Sequence, residues 1–85
     1  MQPVTIYSTR ICPYCLRAKA LLRAKHVPYQ EYLVDQDAAR RAEMLQKSAG
    51  RRSVPEIFVG GRHIGGCDEL YALERSGKLD TLLAD

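Results

Sequence analysis

No stretch of this chain approaches the ~20 consecutive apolar residues needed to span a bilayer, and its first twenty residues hold no apolar segment of the export-signal kind. A membrane partner is therefore not expected, and the cytoplasm is the expected compartment. Cysteine is scarce as well: three residues, an odd number and too few to staple a small secreted scaffold. A close pair among so few points to redox or metal chemistry rather than to structural bridging. The net charge is only +3, and the basic residues form short local runs, Arg40-Arg41 and Arg51-Arg52 beside Arg17, Lys19, Arg23 and Lys25. Such runs read as solvated faces, so nucleic acid is not an expected partner. Repeats, linkers and low-complexity segments are also missing. At 85 residues there is room for a single domain over residues 1–85, with a modest core. With 46% hydrophobic and 27% charged residues, the composition excludes a disordered or fibrous chain.

The chain instead holds an alternation of strand-like and helix-like segments. Val4-Thr5-Ile6-Tyr7, within residues 3–8, is a β-branched and aromatic run suited to a buried strand. Pro13 stands where its missing N–H costs nothing and its fixed φ helps a helix start. Cys15, Ala18 and Leu22 then recur at i, i+3 and i+7, with the cations mostly elsewhere, which predicts an amphipathic helix to about residue 25. His26-Val27-Pro28 breaks it, and residues 29–34 read as a second strand. Asp35 or Asp37 is placed to cap a second helix to about residue 48, with Ala38, Ala42 and Leu45 on one face and Gly50 at its end. Residues 56–59 and 62–64 around Gly60-Gly61 carry a hairpin signature. A further helix is expected from about residue 68, broken at Gly77 and followed by a short one ending near residue 84. The order β-α-β-α-β-β-α predicts an α/β fold, a mixed four-stranded sheet that opens with a parallel, right-handed crossover.

Cys12-Pro13-Tyr14-Cys15 falls where the first strand meets the first helix. A thiolate, not a thiol, attacks a disulfide, and a helix N-terminus favours the anion through its unpaired N–H groups and dipole. Cys12 is therefore the expected nucleophile, with Arg10 as a nearby cation. Cys15, one turn on, is the expected resolving thiol. A rival reading joins Cys12-x-x-Cys15 to His63-x-x-x-Cys67 as a Cys₃His zinc set. The wide separation of the two half-sites, and the proline-initiated helix at the first, speak against it.

With those motifs placed, the sequence resembles a glutaredoxin of the dithiol type over nearly its whole length. Four features carry the resemblance: Cys12-Pro13-Tyr14-Cys15, Ser53-Val54-Pro55, the glycine hairpin turn, and Gly65-Gly66-Cys67-Asp68. The resemblance implies a thioredoxin-like fold and glutathione as reductant, with no metal. It implies a monomer that reduces protein disulfides and glutathionylated proteins, ribonucleotide reductase being a substrate of some relatives. It further implies a cis bond before Pro55, which would turn the Val54 backbone toward the cysteine of glutathione like a short added strand. The backbone N–H groups of Cys67 and Asp68, approached closely past Gly66, would take the γ-glutamyl carboxylate, and the Asp68 side chain the ammonium. Tyr14 would wall the sulfur of Cys12, and Cys67 would serve as a small hydrophobe. The chain departs from the family pattern at Thr9, where many glutaredoxins have a lysine for the glycine-end carboxylate. Arg51 or Arg52, just before the Val-Pro pair, is the expected replacement.

Two other functions fit the same cysteine pair. One is a redoxin reduced by thioredoxin reductase, against which Pro13-Tyr14 and the segment Gly65 to Asp68 argue. The other is an iron–sulfur carrier bridged by Cys12 of two subunits and two glutathiones. Pro13 stiffens the loop against that arrangement, and Cys15 can close a disulfide instead.

Overall fold

A computed structural model describes residues 1–84 of the chain. Its elements run β1 (Val4–Ser8), α1 (Pro13–Ala24), β2 (Gln30–Leu33), α2 (Ala38–Lys47), β3 (Glu56–Val59), β4 (Arg62–Gly65), α3 (Cys67–Arg75) and α4 (Lys78–Ala84). The four strands form one sheet in the order β2-β1-β3-β4. Strands β1 and β2 are parallel, Ile6 facing Glu31, while β1–β3 and β3–β4 are antiparallel. The mixed sheet expected from the segment order is the one observed.

The two-residue period of the central strands divides the core in two. Val4, Ile6, Ile57 and Val59 pack with Ala18 and Leu22 of α1, Cys67 and Leu70 of α3, and Leu79 and Leu83 of α4. Tyr7 and Phe58 point to the other face, where Met44 of α2 and Val34 meet them. Both faces are thus covered, which is why β1 and β3 carry nearly unbroken apolar runs.

One element, α2, differs from expectation in its inward face. Helix α2 is capped by Asp37, whose side chain accepts from the Arg40 N–H at 3.1 Å, and not by Asp35. Its inward face is Met44 with Leu45 at its edge, whereas Ala38 and Ala42 are exposed. Polar side chains do the covering that alanines would not reach: the Arg40 guanidinium lies 3.8 Å from the centre of the Tyr32 ring, and the Tyr7 hydroxyl donates to Glu43. Helix α3 begins at Cys67, within the segment expected to open it, and Glu69 reaches back to the Gly66 N–H at 2.6 Å.

Candidate active site

Cys12 is the N-cap of α1, in extended conformation, with Pro13 as the first helical residue. The backbone N–H of Cys15 donates to Cys12 Sγ at 3.0 Å. The two cysteines are joined as a disulfide with their Cα atoms 5.2 Å apart. Cys12 is 8% exposed and Cys15 only 1%, so Cys12 is the more accessible of the two. Apolar side chains frame it: Ile11, Tyr14 and Leu16 are all exposed. Opposite them, the Val54 carbonyl oxygen comes within 3.8 Å of Cys12 Sγ, and the Val54–Pro55 peptide is cis.

Beside the cysteines opens a cleft of about 160 Å³. One wall is the segment before β3, with Arg51, Ser53, Val54 and Pro55; the other is the first turn of α3, with Gly66, Cys67, Asp68 and Glu69. Tyr14 closes one end. The walls nearly touch at Gly66, where a Cβ would lie 3.2 Å from the Pro55 carbonyl oxygen. No side chain larger than hydrogen fits there without moving one wall.

Seven of the ten site residues expected from sequence line this cleft, and Cys12 and Cys15 adjoin it through Val54. Arg52 is exposed and lies outside the lining. Arg10 is drawn to Asp35, its Nε 3.1 Å from Oδ2, so it is not a free cation for the sulfur. His63 donates or accepts at Glu56 Oε1 over 2.6 Å and packs on Phe58 with ring centres 4.9 Å apart. The Cys₃His set is accordingly not assembled; among the described residues no group of three or more His, Cys, Asp or Glu is gathered for a metal. Cys67 belongs to the core on the α1 side of the sheet, and burial pushes its thiol above the ordinary value, with Asp68 and Glu69 adding to the rise and Arg17 opposing it. That suits a packing thiol.

Three cleft or sub-cleft residues were not anticipated: Ser53, Glu56 and Glu69. Glu56 is fully buried yet holds three partners, His63, Ser53 Oγ at 3.0 Å and Arg51 Nε at 3.5 Å. Glu69 had a local signal, its place three residues after Gly66, the spacing at which a glutamate reaches back to a helix N-cap. Glu56 had none, since a charge at the head of an apolar strand does not announce its partners.

The family model described as glutaredoxin matches residues 4–64. The chain is 55% identical over 84 residues to a glutaredoxin of Pseudomonas aeruginosa, covering 99% of each. It is also 55% identical over 83 residues to glutaredoxin 3 of Escherichia coli K12, covering 98% of this chain and 99% of the relative. Among solved structures, a buckwheat glutaredoxin–glutathione complex superposes with a TM-score of 0.87 at 40% identity, over 98% of this chain and 77% of the other. The solution structure of a glutaredoxin from Brucella melitensis gives 0.84 at 52% identity, over 98% and 89%. A redox-active pair at a helix start, a cleft beside it and relatives that match from end to end lead to one conclusion: this chain belongs to the glutaredoxin family of glutathione-dependent thiol–disulfide oxidoreductases.

Proposed function

We propose that the chain reduces glutathionylated proteins and protein disulfides with Cys12 as nucleophile, Cys15 as resolving thiol and glutathione held in the cleft between residues 51–55 and α3. The observation that carries this reading is the Cys15 N–H aimed at Cys12 Sγ, 3.0 Å away, beside that cleft. A donor in that position stabilises a thiolate more than a thiol, and no acidic side chain occupies the first turn of α1 to oppose it.

The steps conserve electrons. With a glutathionylated protein, the Cys12 thiolate attacks the glutathione sulfur, and the protein leaves as a thiolate that takes up a proton. A second glutathione thiolate then attacks the glutathione sulfur bound to Cys12, releasing oxidised glutathione and regenerating the Cys12 thiolate. With a protein disulfide, the Cys12 thiolate attacks one sulfur, the protein S–S bond breaks, and the other protein sulfur leaves as a thiolate that takes up a proton, giving a mixed disulfide. Cys15, after losing its proton, attacks the Cys12 sulfur and expels the protein thiol. The Cys12–Cys15 disulfide left behind is reduced by two glutathiones, which supply the two electrons.

For the ligand itself, the Val54 backbone is beside Cys12 and suits strand-like pairing with the cysteine of glutathione. The N–H groups of Cys67 and Asp68, in the first turn of α3, have no intrahelical acceptor and suit the γ-glutamyl carboxylate, with the Asp68 carboxylate for the ammonium. Arg52 is the better candidate for the glycine-end carboxylate. Arg51 is already shared between Glu56 and Glu69, whereas Arg52 has no ion-pair partner among the described residues. The expected setting is the cytoplasm and the expected state a monomer, with ribonucleotide reductase within the class of protein substrates. Glutaredoxin potentials of about −200 to −230 mV lie close enough to a cytosolic glutathione poise of about −220 to −260 mV for that pool to drive the cycle.

A coupled assay tests the reading. NADPH consumption should require glutathione with glutathione reductase; efficient turnover by thioredoxin reductase without glutathione would overturn it.

A further inference from the structure

Among the described residues that line the cleft Arg51 is the only cation, and its two carboxylate partners come from β3 and from α3. Glu56, fully buried at the start of β3, faces Arg51 Nε at 3.5 Å from beneath. Glu69, on the first turn of α3, faces Arg51 Nη2 at 3.3 Å across the cleft. The same Glu69 oxygen accepts the Gly66 N–H at 2.6 Å. Gly66 is also where the walls come closest, beside the Pro55 carbonyl. A chain of contacts therefore runs from the buried end of β3, through one guanidinium, to the backbone at the head of α3.

We propose that Arg51 is a positioning residue, a latch that holds the two walls at the separation glutathione needs, and that it is not itself the ligand for a glutathione carboxylate. This rests on the glutathione reading above. Glu56 is held in place beneath the surface by Ser53 and His63, and so offers the guanidinium a fixed partner at the head of β3. The pair with Glu69 is half-exposed and contributes little stability. Its consequence is geometric, since it ties α3 to the segment carrying Val54. The guanidinium meets the two carboxylates through two different nitrogens, Nε and Nη2, a fixed planar geometry that the compact ammonium of lysine does not reproduce.

The test compares Arg51→Gln, Arg51→Lys, Glu69→Gln and the Arg51→Gln/Glu69→Gln pair. Glutamine at residue 69 still accepts the Gly66 N–H, so the helix start survives. The readouts are KM and kcat for glutathione and the exchange rate of the Gly66 amide in the ligand-free protein. Each single variant should raise KM for glutathione by roughly two- to fivefold, the size of a half-exposed ion pair. The double variant should raise it no further, Lys should fail to rescue, and Gly66 exchange should quicken in all four. A direct carboxylate ligand would behave oppositely: Glu69→Gln would free the arginine and lower KM, and Arg51→Lys would rescue. Either result overturns the latch, as does unchanged Gly66 exchange. A wild-type protein with no glutathione-dependent turnover would overturn the functional reading, while the exchange rates would still decide the latch.

Discussion

Gly65→Ala puts the backbone geometry at the mouth of the cleft to a direct test. Gly65 ends β4 with φ at +121°, a conformation that costs an ordinary residue about 1–3 kcal/mol. The added methyl would also lie 2.5 Å from Glu69 Oε1, 2.9 Å from its Cγ and 3.0 Å from its Cβ. The last two atoms cannot swing aside as a side-chain tip could, so Glu69 must leave the Gly66 N–H. Loss of such a helix cap costs about 0.5–2 kcal/mol. The combined loss of about 1.5–5 kcal/mol, at about 4–8 °C per kcal/mol for a domain this small, lowers the melting temperature by about 6 °C or more. Thermal melts followed by far-ultraviolet circular dichroism, on fully reduced protein, supply the measurement. Gly66→Ala is the matched contrast, because φ at Gly66 is an ordinary −101° and the new Cβ meets the Pro55 carbonyl at 3.2 Å. Its cost should fall on the cleft, with a higher KM for glutathione and a smaller drop in melting temperature. A Gly65→Ala protein that melts within about 2 °C of wild type would refute this account of the β4–α3 junction.

Other outcomes follow from the same geometry. Cys12→Ser should abolish turnover of a glutathionylated peptide, whereas Cys15→Ser should retain much of it because a second glutathione can resolve the intermediate; equal losses would contradict the assigned roles. Cys67 is buried with its thiol pushed up, so iodoacetamide at about pH 8 should label Cys12 of the reduced protein and spare Cys67 until denaturant is added. Prompt labelling of native Cys67 would show that it is no packing thiol. Four carboxyls sit below their ordinary range: at Glu31 burial opposes the shift but hydrogen bonds from Lys19 and Ser8 outweigh it, at Asp35 burial opposes it but hydrogen bonds from Arg10 outweigh it, at Glu43 the Tyr7 hydroxyl leads, and at Glu69 the Gly66 N–H. Unfolded, the glutamates among them take up protons near pH 4.5, and folded, only lower. Their stabilisation is therefore complete above about pH 5 and is lost as pH falls further. The urea midpoint should drop between about pH 5 and 3, and Glu31→Gln should flatten that slope; an unchanged slope would exclude Glu31 as a contributor.

Short-range rules carried most of the fold into the sequence. The Pro13 start of α1, its 3.6-residue period and the glycine turn between β3 and β4 act within a few residues, and all three appear in the structure. The inner face of α2 departs from the Ala38-Ala42-Leu45 stripe that its spacing predicts, since only Leu45 of the three packs inward. The helix instead presents Met44 with the Arg40 and Glu43 side chains, whose value lies in partners on β1 and β2. The cis Val54–Pro55 bond was legible only through family resemblance, since X–Pro bonds are cis in only ~5–6% of cases.

The reactive pair was set by the sequence alone, because a thiol at the N-cap and another three residues on must meet across one helical turn. The chemistry around that pair was decided by tertiary structure. Arg10 was a candidate cation until the β2–α2 connection brought Asp35 to it, and Arg51 one until Glu56 and Glu69 shared it. His63 was a candidate metal ligand until Glu56 took its ring nitrogen. An ion pair between residues 18 or 25 positions apart leaves no periodic trace in the chain, and only the closure of strands and helices around the cleft selects which charges remain available to a ligand.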